Sequence, residues 1–470
     1  MNKRILLINP PTGLYRRDDR CQNAVKDQTV RVILPPMVLS YIAALYREAG
    51  YTCKIEDYPA ENKSFEDLKE DLLSFKPDIL YLGITTATIE KDIEAARLAK
   101  ELNPDILNCS FGFYFRTYGI EIMEKYEALD MVIFSEAEGV VKVLIEKADL
   151  SEVKGIIYRK EGIIVKNPDY PGTENPDIFP FPARDLLKNE LYVSPDNGKP
   201  LGVITTSRGC PFKCIFCPAG TLTNYKVFHR SAENIFNEIK ECHEKYSIDE
   251  FLLNADTFTA RKKIVLELCR LIRESSMNIT WAANSRVDTV DEEMLLEMKR
   301  SGCKMVAFGI ESGSQDMLDK MKKGIRKEQA RNAIALCRKA GLLSHTFYII
   351  GLPWETRETL SETLNFVREI DADFFDFNVA YPLPGTELFE IAKKDNLFDE
   401  SKLRESSYAT SQIHSYKLSS DELIKFRKNA LLRLYLRPSY IIKTLKRVLF
   451  KPAELKRYIS FGFKRLRQLF

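Results

Sequence analysis

Two successive alternations of short apolar strands with longer amphipathic helices, followed by a strand-free basic end, predict an α/β chain. The expected parts are an N-terminal Rossmann-like doubly wound domain over residues 1–150 and a hairpin with a Pro-rich linker over 151–195. A partial (β/α)6 TIM-like barrel is expected over 196–400, and a C-terminal helical region over 401–470. At 470 residues the chain is long enough for about three domains.

The first strand, Ile5-Leu6-Leu7-Ile8, stops at Asn9-Pro10-Pro11. Pro36 then opens a helix that runs toward Ala49-Gly50; proline suits a first helical turn, where its missing N–H is not needed, and glycine suits the exit. Further strands are expected at Thr52 to Asp57, Asp78 to Ile84, Ile106 to Phe111 and Met131 to Phe134, with a helix from Ile89 to Leu102. Such unbroken apolar runs suit a parallel sheet buried on both faces. Residues 153–167 place two β-rich segments around Lys160-Glu161-Gly162, a hairpin signal, before Pro171, Pro176, Pro180 and Pro182 mark a linker.

In the barrel, strands are expected near 202–207, 250–254, 279–283, 304–310, 345–350 and 374–380, each followed by a helical pattern. Eight such units close a barrel, and six leave it open. Beyond Glu400 only helices are expected, broken at Pro438 and Pro452.

A composition of 45% hydrophobic and 29% charged residues excludes disordered, collagen-like and disulfide-scaffold chains. Ten cysteines without a secretory leader point to a reduced, cytoplasmic compartment. No apolar run reaches the length of a membrane span. The net charge of +3 conceals an imbalance, +11 over residues 421–470 against −8 elsewhere. From Lys443 to Phe470, bases alternate with large apolar residues, a pattern that fits a helix closing the fold or a peripheral helix on an anionic inner membrane face. Nucleic acid is disfavoured, because no binding module accompanies the charge.

The strongest chemical signal is Arg208-Gly209-Cys210-Pro211-Phe212-Lys213-Cys214-Ile215-Phe216-Cys217-Pro218, directly after the first barrel strand. Three thiolates on one loop can hold three corners of an iron-sulfur cube and leave one iron open. A zinc knuckle would want a fourth ligand nearby, and the next histidine, His229, is twelve residues beyond Cys217.

With an aromatic residue before its third cysteine, this triplet resembles that of the radical S-adenosylmethionine (radical SAM) superfamily. Asn254-Ala255-Asp256-Thr257-Phe258-Thr259, Ser285-Arg286-Val287-Asp288, Phe308-Gly309-Ile310-Glu311-Ser312-Gly313-Ser314 and Ile350-Gly351-Leu352-Pro353-Trp354-Glu355-Thr356 resemble blocks of its cobalamin-binding members. The resemblance implies that Cys210, Cys214 and Cys217 ligate a 4Fe-4S cluster whose open iron takes the amino and carboxylate groups of S-adenosylmethionine. One electron, from a flavodoxin- or ferredoxin-type donor, then cleaves the sulfonium to a 5′-deoxyadenosyl radical. By the same resemblance the backbone of Phe216 and Cys217 meets the adenine, Glu311 and Ser312 face the ribose or methionyl part, and Gly351 to Glu355 help line the adenine pocket. Arg286 is expected to grip a carboxylate with its planar fork. Asp256, Tyr381 and Pro382-Leu383-Pro384-Gly385-Thr386 fall at strand ends that contact substrate in barrels, and Trp281 and Trp354 read as packing residues.

The N-terminal domain is similar to a cobalamin-binding fold in Asn9-Pro10-Pro11, Leu34-Pro35-Pro36 and Phe134-Ser135-Glu136-Ala137-Glu138-Gly139. It departs from that family in two ways. The four histidines, 229, 243, 345 and 414, all lie outside it, and Ser110-Phe111-Gly112-Phe113-Tyr114-Phe115 stands where a Gly-Gly-Pro-His-like turn is usual. The expected activity is cobalamin-dependent methyl transfer to an unactivated carbon, or phosphinate phosphorus, of a small molecule or lipid intermediate. The alternatives are a radical cyclase or rearrangement enzyme without methyl transfer, and a non-catalytic iron-sulfur or corrinoid carrier.

Overall fold

The computed structural model describes residues 3–17, 22, 24–27, 31–147, 149–195, 197–405, 409 and 413–448. Its first sheet comprises β1 (Arg4–Asn9), β2 (Thr52–Asp57), β3 (Ile79–Gly83), β4 (Leu107–Phe111), β5 (Met131–Ile133), β6 (Ile156–Lys160) and β7 (Ile163–Lys166), in the order β2-β1-β3-β4-β5-β6-β7. The first five strands run parallel. Ile5 and Leu7 enter one core while Leu6 and Ile8 enter another, so all four central positions of β1 must be apolar. Helices α1 (Met37–Glu48) and α5 (Ala137–Glu146) cover the first face. Helices α2 (Phe65–Phe75), α3 (Ile89–Leu102) and α4 (Tyr114–Lys125) cover the second. The order reverses at β1 and β3, and open sheets of this kind bind ligands beyond their carboxyl ends at such a point.

The hairpin assigned to the linker from sequence belongs to this sheet instead, with Tyr158 pairing antiparallel to Met131. Glu161 (φ 50°) and Gly162 (φ 82°) supply the two left-handed residues that a tight hairpin turn needs. The hairpin also covers the edge of β5, which would otherwise be open to pairing with another chain.

The second sheet starts with β8 (Leu201–Thr205); a short ribbon of β9 (Ser207–Arg208) and β10 (Phe228–His229) follows it. It continues through β11 (Glu250–Asn254), β12 (Thr280–Ser285), β13 (Cys303–Glu311), β14 (Leu343–Ile350) and β15 (Phe374–Val379). These six main strands are parallel and consecutive, β8-β11-β12-β13-β14-β15, an open (β/α)6 barrel. Helices α6 (Ala219–Leu222), α7 (Ala232–Tyr246), α8 (Lys262–Glu274), α9 (Glu292–Arg300), α10 (Gln315–Lys320), α11 (Lys327–Ala340), α12 (Arg357–Ile370) and α13 (Glu387–Lys394) connect or follow them. Trp281 is fully buried in this core and donates its indole N–H to the Ser301 carbonyl at 2.9 Å.

Two features hold the parts together. Between the domains, the Glu238 carboxylate of α7 accepts from Arg184 (2.7 Å) and Arg230, and Arg230 also reaches the Tyr41 hydroxyl of α1. All four side chains are buried, so loss of one partner would strand charge away from water. At the open barrel edge, α14 (Ser420–Tyr435) and α15 (Pro438–Val448) cover β15. Arg427 donates to the Phe377 carbonyl and Tyr435 to the Phe375 carbonyl, both at 2.6 Å, which satisfies backbone acceptors that a seventh strand would have taken.

The basic end is thereby partly explained. Arg437 and Lys443 bind the Asp371 carboxylate at 2.7 and 3.1 Å, at the strand-start end of the barrel. The sequence from Phe450 to Phe470 lies outside the described residues. Among the described residues no helix is long and apolar enough to cross a membrane.

Candidate active site

The loop after β8 is shaped by its backbone before any metal arrives. Gly209 has φ 88°, and a Cβ there would stand 2.2 Å from the Lys226 carbonyl, so only glycine fits. Ile215 donates its N–H to Met321 (3.1 Å) and accepts from Leu388 (2.8 Å), which fastens the loop to two barrel connections. Cys210, Cys214 and Cys217 then line one cavity of about 320 Å³ together with Phe216, Arg286, Glu311 and Lys323. Among the described residues no three His, Cys, Asp or Glu side chains gather around one point, as a single metal ion requires. A cube makes a different demand, one thiolate per iron, and three thiols spread around a common cavity suit it. Burial raises the Cys210 and Cys214 thiols above their ordinary range, and Lys323 and Arg286 pull Cys214 back toward the thiolate.

The opposite wall carries an ion pair. Glu311, at the end of β13 with φ 73°, meets Lys323 at 2.8 Å, and both side chains are buried. Burial disfavours the Lys323 ammonium, but Glu311 and Cys214 more than offset this and hold it above its ordinary value. A Cβ at Gly309 would stand 2.3 Å from the Glu311 carboxylate, so this glycine makes room for the pair.

Arg286 differs from the expected free clamp. Its guanidinium lies 3.5 Å from the Phe212 ring centroid and makes two 2.9 Å bonds to Asp288 and one to the Lys323 carbonyl. Its bidentate carboxylate is thus Asp288 of its own loop, and Arg286 positions Phe212 and the Lys323 segment from the cavity wall.

Ser312, Gly351 and Glu355 are absent from the lining. The Ser312 hydroxyl contacts Thr363 (3.1 Å) and caps the turn after β13. Gly351, at φ 84°, donates its N–H to Glu355 (3.3 Å), which Thr359 also holds. Burial raises the Glu355 carboxyl to about 7.

Asp256 and Tyr381 do line the cavity, as does Arg16 from the loop after β1. Sequence reasoning missed Arg16 and Lys323, since Met321-Lys322-Lys323-Gly324 reads as ordinary surface and only tertiary packing buries its second lysine.

Where the carboxyl ends of the first sheet face the barrel, a cleft holds two further cavities of about 110 and 120 Å³. Asn9 lines the smaller, and its side chain bonds Asp57, while the Pro10 carbonyl accepts from Thr12 at 2.8 Å to turn the loop. Phe111 and Gly112 face the larger, whereas Phe113, Tyr114 and Phe115 are buried packing residues. Burial, reinforced by Glu138, raises Glu136 there to about 7. Ser135, Glu136 and Ser207, which line this cavity, each carry a buried side-chain oxygen with no partner among the described residues. Such orphaned groups fit a ligand with a polar rim, as a corrinoid has. This domain has no histidine to ligate cobalt from below. Arg16 lines both the barrel cavity and the smaller cleft cavity, and Asp256 both the barrel cavity and the larger one, so radical site and cleft meet at shared walls.

Residues 204–367 match the Radical SAM superfamily and residues 27–145 the B12 binding domain. The uncharacterized methyltransferase PH0819 of Pyrococcus horikoshii is 33% identical over 447 residues, covering 94% of each chain. The anaerobic magnesium-protoporphyrin IX monomethyl ester cyclase of Rubrivivax gelatinosus is 27% identical over 92% of this chain and 80% of its own. Among solved structures, the fold is similar to the cobalamin-dependent radical enzyme OxsB with aqua-cobalamin bound (TM-score 0.70, 16% identity, 98% of this chain and 72% of that one). It is also similar to the radical methyltransferase TsrM of Kitasatospora setae with cobalamin and a [4Fe-4S] cluster (TM-score 0.68, 17% identity, 84% and 75%). The two family matches in one chain and the 33% identity across 94% of a methyltransferase relative agree with the cysteine triplet at the barrel mouth and the Rossmann domain beside it, and the chain belongs to the cobalamin-binding-domain-containing radical S-adenosylmethionine enzymes.

Proposed function

We propose that this enzyme transfers a methyl group to an unreactive carbon of a small molecule or lipid intermediate. The observation that carries the reading is the shared wall: Arg16 and Asp256 border both the cavity of the three cysteines and the cleft of the B12-binding domain. Arg16 and Asp256 would thereby border both a corrinoid held in the cleft and S-adenosylmethionine held in the barrel, so that one substrate could reach both. When bound, the cluster delivers an electron to S-adenosylmethionine and the corrinoid presents the methyl group.

The chain's own residues do the rest. Lys323 and Glu311 offer a fixed pair of opposite charges beside the cysteines, suited to the carboxylate and amino groups of the methionyl part. Ala307, Phe347, Ile349 and Val379 give the cavity an apolar side where a hydrocarbon group can rest without competing hydrogen bonds. Asn378 and Tyr381 supply polar contacts on the same side. The Rossmann domain, tied to the barrel where Tyr41 meets Arg230 of the Arg184–Glu238–Arg230 cluster, limits water at the mouth, which matters because a carbon radical attacks what it touches.

A small-molecule substrate and an external one-electron donor are the required partners. The capture of Arg437 and Lys443 by Asp371, at the barrel end remote from the cysteines, favours a packing role for α15 over a membrane contact. The test uses trideuteromethyl S-adenosylmethionine, an extract of candidate substrates and the reconstituted enzyme. A product carrying the labelled methyl group is expected. A radical product without the label would favour the cyclase reading.

A further inference from the structure

Three residues that line the larger cleft cavity each bury a side-chain oxygen that has no partner among the described residues. Ser135 Oγ and Glu136 Oε1 come from the segment entering α5, and Ser207 Oγ comes from β9 of the barrel, so the group spans the domain boundary. Ser207 is only 5% exposed. The other Glu136 oxygen is committed, accepting the Thr173 N–H at 2.9 Å. A buried polar atom without a partner carries a substantial desolvation cost, and three on the residues of one cavity point to a ligand toward which these side chains turn.

The charges nearby say what kind of ligand. Arg208 is paired with Glu138, and Arg17 is held by Asp92 at 3.0 Å, so neither guanidinium is left to bind an anion. With those pairs neutralised, Asp256 on the same wall adds negative charge, which disfavours a phosphate. A neutral group that both donates and accepts is complementary, because hydroxyl and carboxyl oxygens can take its N–H groups while a hydroxyl hydrogen meets its carbonyl. Primary carboxamides have this chemistry, and the rim of a corrin ring carries several.

We propose that Ser135, Glu136 and Ser207 form a two-domain clasp for the peripheral carboxamides of the corrinoid. The inference rests on the reading that the cleft holds a corrinoid. Since Ser207 stands three residues before Cys210, the clasp ties the corrinoid to the segment that leads into the cluster loop.

The test uses the full-length protein reconstituted anaerobically with iron and sulfide and titrated with hydroxocobalamin. Corrinoid retained after desalting and the shift in Tm on corrinoid addition are measured, with the iron-sulfur absorbance as a check on folding. Ser207→Ala and Glu136→Leu each weaken retention roughly tenfold, as expected for one lost hydrogen bond in a dry site, whereas Glu136→Gln stays within about threefold. Cobinamide, which keeps ring carboxamides but lacks the nucleotide, shows the same dependence on Ser207. Should Glu136→Leu fail to hold a cluster, Ser135→Ala and Ser207→Ala carry the test, each removing one hydroxyl. Wild-type protein that retains no corrinoid would overturn both the cobalamin reading and the clasp. Wild-type and variant proteins that retain it equally would overturn the clasp alone.

Discussion

The two parallel sheets of this enzyme use their faces differently. In the Rossmann domain both faces are packed under helices, and β1 sends alternate residues into two separate cores. Its chemistry is gathered at the carboxyl edge, where the strand ends Asn9 and Phe111 and the loop residue Glu136 reach the cleft. In the barrel, one face of each strand packs outward while the other lines a cavity, so Ala307, Gly309 and Glu311 of β13 and Phe347 and Ile349 of β14 present alternate positions to it. Substrate preference can therefore be changed by substitutions within barrel strands. Corrinoid binding can be changed through strand ends and the segments that follow them.

The largest expected effect separates the two sites. Cys214→Ala removes one corner ligand and should reduce 5′-deoxyadenosine formation to background, while corrinoid retention after desalting persists. Loss of both together would show that the regions are not independent.

Lys323→Met leaves Glu311 buried and unpaired, a change expected to cost about 3–5 kcal/mol in chemical denaturation. Adding Glu311→Met should recover much of that stability but not cleavage of S-adenosylmethionine. A double variant as unstable as the single one would mean that the pair does not act as a unit.

Glu355 gives a pH signature on the barrel side. Its carboxyl is held near 7 in the folded protein against an ordinary 4.5, so the native state keeps a proton that the unfolded chain releases. Stability should therefore fall as pH rises between these values, and stay level above them. Glu355→Gln lacks this slope, and should exceed the wild type by up to about 3 kcal/mol at high pH while matching it in acid. Parallel pH profiles of the two proteins would contradict the assignment.

The smallest effect is expected at the far end of the barrel. Lys443→Met removes a partly exposed contact to Asp371 and should cost no more than about 1 kcal/mol, with radical formation unchanged. Binding of the wild type to anionic liposomes, lost in this variant, would restore the membrane reading of the tail.

Much of this architecture was legible in the sequence, because buried parallel strands are continuous apolar runs and the cysteine triplet is local. The strand Thr52–Asp57 and the helix Ile89–Leu102 have the bounds their patterns suggest. The hairpin was recognisable from Lys160-Glu161-Gly162, but its attachment to β5 depends on a distant edge and has no local signal. The site was less legible. Glu311 and Arg286 reach the cavity, yet their partners, Lys323 and Asp288, could not be distinguished from surface charges without knowing what packs over them. Ser207 likewise reads as a polar residue before a motif until its burial is seen.

The central claim is that radical source and methyl carrier work through one connected site. It is tested most directly by reconstituting the full-length protein with iron, sulfide and hydroxocobalamin, then adding S-adenosylmethionine and a reductant. Bound corrinoid, 5′-deoxyadenosine and S-adenosylhomocysteine are measured in the same sample. The account predicts all three. 5′-Deoxyadenosine from protein that retains no corrinoid and forms no S-adenosylhomocysteine would contradict it.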